Sequence, residues 1–343
     1  MAGQRPLTGK GPLAYYLARL RRLGVRNMIR IAGKITAEYR IPRAVILADM
    51  VQCSVRYNAG YYDYHEWDYH LMKHAERKTY LTRPQANQLT QKYNDLDHAH
   101  KFRDKVQFNR LFAEHIGREW LDVRETTTEQ LEAFVTKHGR VFLKDPVNLG
   151  GYGLEKVEAA DVDDFEAFRL RLLERKQFLV EQFITQHPEL NRLSPKSVNT
   201  LRIITFFDGT EVHVLAHAFK MGNGADLDNF GQGGIQTTVY DDGILPYGAF
   251  NKEGDKWTVH PQTGVSIVGF RIPLYAEAIA MAKQLATVVP EVPYVGWDIA
   301  IGPEAPLVIE GNYNSGVFQM KPSLSGLKVG LRPTYAKAMG FTA

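Results

Sequence analysis

Two short apolar strands near the end of the chain constrain its fold most. The segment GWDIAIGPEAPLVIEGNYNSG predicts strands over residues 296–301 and 307–312, joined by a short turn. Side chains two apart on a strand share a face, so Glu310 and Asn312 point together and the paired strand can present Asp298 beside them. Acids that flank a surface turn would fit the same positions. The apolar neighbours favour a buried face, where carboxylates need a cation such as Mg²⁺ to offset their desolvation.

The remaining sequence changes character at about residue 104. Residues 1–103 contain little strand pattern and predict a mainly helical region, whereas helices and strands alternate over residues 104–343. Thr126 and Glu129 form a capping-box pattern, and Asp208-Gly209 and Asp242-Gly243 predict tight antiparallel turns. The segments that we predict are helices over 105–114, 162–175 and 274–288 and strands over 141–144 and 178–183.

Composition narrows the class of protein. The 343 residues are 44% hydrophobic and 23% charged, as in soluble globular proteins, and exceed one domain of roughly 100–200 residues. A single cysteine, Cys53, excludes an internal disulfide. No apolar stretch approaches the roughly 18 residues that span a bilayer, and the first residues lack a secretory pattern. We therefore expect a cytoplasmic protein.

Positive charge is concentrated at the start of the chain. Residues 1–43 carry a net charge of +9, so the other 300 residues carry −5 of the total of +4. Leu13, Tyr16, Leu17, Leu20 and Leu23 recur at helical spacing beside several arginines. This helix is either a solvated basic face on the protein body or a contact for an anionic membrane, a phospholipid carrier or nucleic acid. The acidic remainder argues against nucleic acid as the main partner.

An aromatic segment with histidines occupies residues 57–70. Its six aromatic residues lie among acids, and His65, His70 and His74 occur at spacings that would place the last two on one helix face. A metal site is one interpretation. Structural hydrogen bonds or a surface that faces a substrate fit the aromatic surroundings better.

A second group of residues suits a nucleotide triphosphate. Lys144 ends a predicted strand, and the glycines that follow allow a loop whose N–H groups cover phosphates, although such a loop is often only a turn. Lys105 supplies a second cation at a helix start, and Glu181 lies on a strand that leads into a linker suited to an adenine edge. The glycines are Gly150, Gly151 and Gly153.

The order of these motifs resembles the ATP-grasp superfamily. Lysine before a helix, a strand lysine with a glycine loop, a Glu-x-Phe-Ile segment and a closing Asp…Glu-x-Asn follow one another over about 210 residues. Further motifs look like the branch called sugar-transfer-associated ATP-grasp proteins. They are Gln186-His-Pro188, Ser197-Val-Asn-Thr-Leu-Arg-Ile203, Asp228-Asn229, Gly233-Gly234-Ile235, His260-Pro261 and Gly296-Trp-Asp298.

The resemblance implies an α+β fold in which two subdomains, about residues 104–184 and 185–343, clasp ATP between antiparallel sheets. It implies phosphate contacts from Lys105 and Lys144 and Mg²⁺ ligation, with two ions expected, by Asp298, Glu310 and Asn312. Further nucleotide contacts are expected from Glu181, Gln182, Phe183, Ile184 and Glu189, and substrate contacts from Asn199, Gly233, Gly234 and His260. Relatives commonly have arginine where this chain has Lys220, which keeps the charge but loses bidentate geometry.

ATP-grasp proteins typically join a carboxylate to an amine through an acyl phosphate, a reaction that requires charge neutralisation and no nucleophilic side chain. We expect Arg202 and Lys220 to hold the carboxylate and the phosphoryl group, with Asn199 and Asn229 orienting the same oxygens. An ordinary salt bridge for Arg202 and a turn cap for Asn199 are the alternatives.

The expected function is an ATP- and Mg²⁺-dependent ligase that joins a small carboxylic acid, such as an amino acid, to an amine on an amino sugar or a polysaccharide precursor. A kinase acting on a hydroxyl and a silent nucleotide-binding scaffold are the alternatives.

Overall fold

The computed structural model describes residues 24–147, 154–224 and 228–342. Its first part is helical, as predicted. Thr82 caps one of these helices, accepting a hydrogen bond from the N–H of Gln85, whose side chain returns a bond to the N–H of Thr82. The helices are α1 (Val25–Tyr39), α2 (Arg43–Arg56), α3 (Tyr61–Glu66), α4 (His74–Lys78), α5 (Arg83–Tyr93) and α6 (His100–Arg103).

A four-stranded antiparallel sheet follows, in the order β1-β4-β2-β3. Two helices pack on it around a core that includes Leu131, Val141, Leu172 and Val180. The strands are β1 (Trp120–Asp122), β2 (Arg140–Lys144), β3 (Glu155–Glu158) and β4 (Leu179–Gln182). The helices from α7 to α10 are Lys105–Leu111, Ala113–Ile116, Thr128–His138 and Phe165–Glu174.

The second sheet has seven antiparallel strands in the order β11-β10-β5-β6-β7-β8-β9. Strands β5 and β6 form the hairpin predicted at Asp208-Gly209, and β10 and β11 are the predicted closing pair. The strands are β5 (Thr200–Phe207), β6 (Val212–Met221), β7 (Ile235–Thr238), β8 (Ala249–Phe250), β9 (Lys256–Trp257), β10 (Tyr294–Ile301) and β11 (Pro306–Asn312). The helices from α11 to α14 are Pro188–Leu193, Tyr275–Leu285, Pro322–Ser325 and Arg332–Met339.

The two faces of the large sheet differ. One face carries apolar side chains along its length, among them Leu201, Phe219 and Trp297, and packs on α12 in one core. On the other face Ile204, Phe206 and Tyr294 pack against the N-terminal helices in a second core. The N-terminal helices therefore share a core with the large sheet. The rest of this second face carries charged residues.

Three local predictions need correction. The helix cap near residue 127 is Thr127 with Gln130, one residue after the predicted Thr126 and Glu129, because Thr126 instead donates its hydroxyl to the carbonyl of Asp122. Asp242-Gly243 forms a turn, but Ile244 bridges Arg271 and no hairpin strand follows. His70 and His74 do not share a helix, since a 3₁₀ turn ends at Leu71.

Two further predictions lie outside the described residues: the amphipathic helix before residue 24 and the glycines Gly150, Gly151 and Gly153. Across the parts of the chain that the structure describes, no helix is both long and apolar enough to cross a membrane.

Candidate active site

A row of charged side chains crosses the second face of the large sheet. Asp298 on β10 lies opposite Arg202 on β5 and opposite Glu310 on β11. Lys220 on β6 pairs with Thr200, which lies two residues from Arg202 and so faces the same side. The strand register therefore brings four of the predicted catalytic and metal-binding residues together.

Asp298 is buried and held by two cations. Arg202 donates from Nε to Oδ1 and from a terminal nitrogen to Oδ2, each at 2.6 Å, and the ammonium of Lys220 lies 2.9 Å from Oδ1. Burial alone would raise the pKa of Asp298, but these two cations hold it well below its ordinary value. Asp298 is therefore ionised, as a metal ligand must be.

Two further acids, Glu310 in this row and Asp228 beside it, have pKa values shifted in the opposite direction. Burial, followed by the charge of Asp298, raises the pKa of Glu310. Burial also raises the pKa of Asp228, which accepts a hydrogen bond from the hydroxyl of Thr200. Further positive charge would therefore stabilise this group of acids.

The predicted metal-binding set suits Mg²⁺ in its chemistry. Asp298 and Glu310 offer carboxylate oxygens, and Asn312 lies beside them with its Nδ2 at 3.2 Å from Oε1 of Glu310. The described residues contain no group of three or more His, Cys, Asp or Glu side chains arranged for a metal. A set with two carboxylates needs oxygens from another molecule, and Mg²⁺ commonly takes these from phosphates and water.

A second charged cluster belongs to the small sheet. Glu181 on β4 is buried, and its Oε1 accepts bonds from Arg118 at 2.7 Å and from Nδ2 of Asn109 at 2.9 Å. Lys144 on β2 forms an ion pair with the other oxygen. Although burial would raise the pKa of Glu181, Arg118 and Lys144 lower it well below its ordinary value.

Arg118 is a site residue that the sequence did not reveal. Besides Glu181, it donates to the backbone carbonyls of Val308 at 2.9 Å and Ile116 at 3.2 Å. Val308 lies two residues before Glu310 on β11. Arg118 therefore joins the strand of Glu181 in the small sheet to the strand that carries Glu310 in the large one.

Lys105 lies between the two clusters. Asp104 caps the helix that Lys105 begins, accepting bonds from the N–H groups of Val106 and Gln107. Burial lowers the pKa of Lys105, while the charge of Glu310 raises it and that of Lys144 lowers it. The structure thus brings both predicted phosphate-binding lysines near the predicted metal ligands.

The predicted adenine segment follows Glu181. The ring of Phe183 stacks on Phe142 with centroids 3.9 Å apart. The amide oxygen of Gln182 accepts a bond from the N–H of Glu119 at 3.0 Å. Ile184 is half-buried, and Glu189 is exposed and paired with Arg192. The contacts of these residues with a nucleotide stay predictions.

The substrate contact predicted for Asn199 does not fit its position. Asn199 is fully buried, and its Nδ2 donates to the side-chain oxygen of Gln186 at 2.9 Å and to the carbonyl of Leu190 at 3.1 Å. Its amide therefore supports the segment before β5, as in the alternative interpretation of a turn cap. His260 is also buried, and its Nε2 lies 2.7 Å from the carbonyl oxygen of Gly222, so it too faces a loop.

Asn229, Gly233 and Gly234 shape the loop that positions Asp228. The side chain of Asn229 accepts a bond from the N–H of Gly231 at 2.9 Å, and Gly233 has a φ of 99°. A Cβ on Gly234 would lie 2.4 Å from the carbonyl oxygen of Asp228, so only glycine fits there. These three residues act on the charged row through Asp228.

The fold and the site define the class of protein. A model of the sugar-transfer-associated ATP-grasp family matches residues 172–331. This part of the chain contains the large sheet and the charged row, and it matches that family. No curated protein matches the chain.

Solved structures that resemble this chain include an ATP-grasp ligase and two synthetases. The ATP-grasp ligase PsnB with a minimal precursor is 16% identical over 73% of this chain and 66% of its own, with a TM-score of 0.40. D-Alanyl-alanine synthetase A from Vibrio cholerae O1 biovar eltor is 10% identical over 70% and 60%, with a TM-score of 0.39. D-Cycloserine synthetase DcsG is 11% identical over 83% and 82%, with a TM-score of 0.41. The chain spans less than two thirds of the length of the first two proteins. TM-scores this low support no conclusion about the substrates of this protein.

Proposed function

We propose that the protein is an ATP- and Mg²⁺-dependent ligase that activates a small carboxylic acid as an acyl phosphate and joins it to an amine. The observation that carries the proposal is the convergence of Lys105 and Lys144 with Glu310, beside the row of Asp298 and Arg202. Cations for phosphates next to oxygens for Mg²⁺ are what a nucleotide triphosphate requires. The match to the sugar-transfer-associated ATP-grasp family supports the same conclusion.

Each cluster has its own task in this proposal. Lys105 and Lys144 bind phosphate oxygens of ATP, and the segment after Glu181 binds adenine. Asp298, Glu310 and Asn312 would hold Mg²⁺, which neutralises charge on the transferring phosphoryl group when bound. Arg118 keeps Glu181 in place relative to β11.

The reaction has two steps. An oxygen of the substrate carboxylate attacks the γ-phosphorus, the bond from that phosphorus to the bridging oxygen breaks, and ADP leaves with the bonding electrons. The amine nitrogen then attacks the acyl carbon, the bond from that carbon to the phosphate oxygen breaks, and inorganic phosphate leaves. A proton of the amine passes to solvent or to the departing phosphate.

Lys220 has the chemistry to hold the transferring group. Both oxygens of Asp298 already accept bonds from Arg202, which fixes the guanidinium on the sheet. The ammonium of Lys220 has three donors and gives one of them to Asp298. Its remaining donors can bind oxygens of the substrate carboxylate or of the phosphoryl group, while Asp298 holds the lysine side chain in place.

Hydroxylamine trapping tests the proposal. A panel of carboxylic acids is incubated with the protein, ATP and Mg²⁺, and ADP and acyl hydroxamate are measured together. An acid that gives both confirms an acyl phosphate. ADP release without hydroxamate from every acid that stimulates turnover would instead indicate a kinase that acts on a hydroxyl. ATP binding without turnover under any condition would indicate a scaffold.

The basic N-terminal segment forms a separate part of the proposal, namely contact with an anionic membrane or lipid carrier. Arg26, Arg30 and Lys34 on α1 are exposed, whereas Met28 and Ile31 on the same helix are buried in the shared core. A deletion must therefore stop before residue 24. Loss of binding to vesicles with anionic lipid on deletion of residues 1–23, with ATP binding retained, would support this contact, and equal binding by both forms would refute it.

A further inference from the structure

A cavity of about 380 Å³ lies between the N-terminal helices and the large sheet, outside the charged row. Its size is within the usual range for small-molecule sites. Four separate parts of the chain form it. They are the end of α1, the segment of His65 to His70, and the loop of Glu253 to Lys256, with Lys321 completing the lining.

Polar contacts between distant residues fix the cavity. The carbonyl of Glu253 accepts a bond from the ammonium of Lys34 at 3.0 Å and lies 3.1 Å from Nε2 of His65. Gly254 has a φ of 89°, and a Cβ there would lie 2.7 Å from the His65 ring. The loop therefore packs directly on His65.

The charges that line the cavity leave an acidic excess. Glu38 pairs with Lys256, and Asp68 pairs with Lys321 at 2.6 Å, so these four charges cancel. The remaining charged groups are two exposed carboxylates and one cation. They are Glu253, Asp255 and Lys34, and among the described residues neither carboxylate has an ion pair.

The two histidines add no positive charge. Burial lowers the pKa of His70 to about 4 and also lowers that of His65, so both are neutral near pH 7. Both ring nitrogens of His70 are buried without a hydrogen-bond partner in the described part of the chain. The ring of Tyr39 lies at its edge with centroids 4.5 Å apart. The lining thus combines aromatic faces, neutral hydrogen-bonding groups and carboxylates.

The cavity lies close to the charged row. Phe318 packs on the guanidinium of Arg202 at 5.2 Å, and Lys321 follows three residues later, which is at most about 10 Å of chain. The ammonium of Lys321 lies 5.3 Å from the ring of Phe250, whose partner Gln236 lies opposite Lys220. Phe250 and Phe318 therefore connect the lining of the cavity to the charged row.

We propose that this cavity binds the amine substrate, and that the substrate is an amine with several hydroxyl groups and about the size of a monosaccharide. The carboxylates of Glu253 and Asp255 attract its ammonium form, and the histidines, Tyr39 and the lysines suit its hydroxyls. The role of this molecule as a substrate rests on the proposed ligase function, but its binding can be measured without any reaction.

Calorimetric titration of the full chain with glucosamine, in the absence of ATP, tests the cavity. Glucose serves as the neutral comparator and inorganic phosphate as the anionic one. We expect saturable binding of glucosamine that is at least about tenfold tighter than that of glucose. Glucose has no ammonium group and so cannot form the charged hydrogen bond. Glucose binding as tightly, phosphate binding more tightly, or no saturable binding of glucosamine would each overturn the proposal.

The double variant Glu253→Gln with Asp255→Asn locates the binding. Both residues are exposed, so the fold tolerates the change, and we expect glucosamine to bind about tenfold more weakly. Glu304→Gln is the matched control, because Glu304 is an exposed acid in the turn between β10 and β11. Unchanged binding in the double variant would overturn the assignment. Glucosamine that binds here but never stimulates ADP release would leave the cavity assignment intact and count against the ligase function.

Discussion

Two buried carboxylates, one in each sheet, are neutralised in the same way. Each lies between one arginine and one lysine, and in each case these cations lower its pKa despite burial. The charges of Glu181 and of Glu310, which lies opposite Asp298, both raise the pKa of Lys105. The two sets are Glu181 with Arg118 and Lys144, and Asp298 with Arg202 and Lys220.

The surroundings of the two carboxylates differ. The remaining partner of Glu181 is the neutral amide of Asn109. Asp298 instead has Glu310 and Asp228 nearby, and the pKa of each of these acids is raised. The cluster in the small sheet is thus balanced by its own cations, whereas the cluster in the large sheet would gain from another cation. We therefore propose a structural and nucleotide-binding role for the first cluster and a metal-binding role for the second.

Removing the charge of Asp298 should have the largest effect. Asp298→Asn leaves Arg202 and Lys220 buried without their anion, which costs about 3–5 kcal/mol of unfolding free energy. Asp298 stabilises the fold above its unfolded pKa of 3.8, and this contribution is lost as the pH falls through the lowered value. The free energy of unfolding of the variant and of wild type is measured with denaturant at pH 7 and at pH 3. The difference between the two proteins should be smaller at pH 3. An equal difference at both would contradict the ion-pair assignment, and Glu304→Gln is the control.

Glu181→Gln should have an intermediate effect. The amide oxygen of glutamine can still accept bonds from Arg118 and Asn109, so the expected loss is about 1–3 kcal/mol. Because Lys144 loses its partner, the KM for ATP should rise while the Mg²⁺ requirement stays as in wild type. Unfolding curves and ATP titrations of turnover measure both quantities. A changed Mg²⁺ requirement would remove the distinction between the two clusters.

Glu310→Gln should separate stability from activity. The folded protein holds the proton of Glu310 more tightly than the unfolded chain, so its contribution to stability is present below pH 4.5 and lost as the pH rises through the raised pKa. Glutamine cannot ionise, so the variant should match wild type below pH 4.5 and be more stable at pH 7. Its turnover should need at least about tenfold more Mg²⁺. Lower stability than wild type at pH 7 would contradict the raised pKa of Glu310. Unchanged ATP consumption would show that Glu310 is not the metal-binding member of the row.

The sequence predicted the large-sheet cluster better than the small-sheet one. Alternation along two apolar strands with a short turn is local information, and it placed Glu310 and Asn312 on one face with Asp298 opposite. Arg118 follows α8 in a segment without a periodic pattern, and its partner Glu181 is 63 residues away, so no local signal marks it.

Tertiary contacts of buried or looping segments were also not predictable from the sequence. Asn199 occurs in a motif beside β5, but its contact with Gln186 depends on how the chain folds back before that strand. The turn at Asp242-Gly243 was predictable from its residue types. Its bridge from Ile244 to Arg271 was not, because tertiary packing decides which segment pairs there.

Lys220→Arg should have the smallest effect and tests the position where relatives commonly have arginine. Arg202 already binds both oxygens of Asp298, so the position needs a cation that shares Oδ1, and a guanidinium can supply it. We expect turnover within about twofold of wild type, which corresponds to about 0.4 kcal/mol in the activation free energy. Lys220→Met keeps the length of the side chain but removes the charge, and it should abolish hydroxamate formation while ATP still binds. Hydroxamate formation by the methionine variant at the wild-type rate would mean that Lys220 only neutralises Asp298 and takes no part in holding the phosphoryl group.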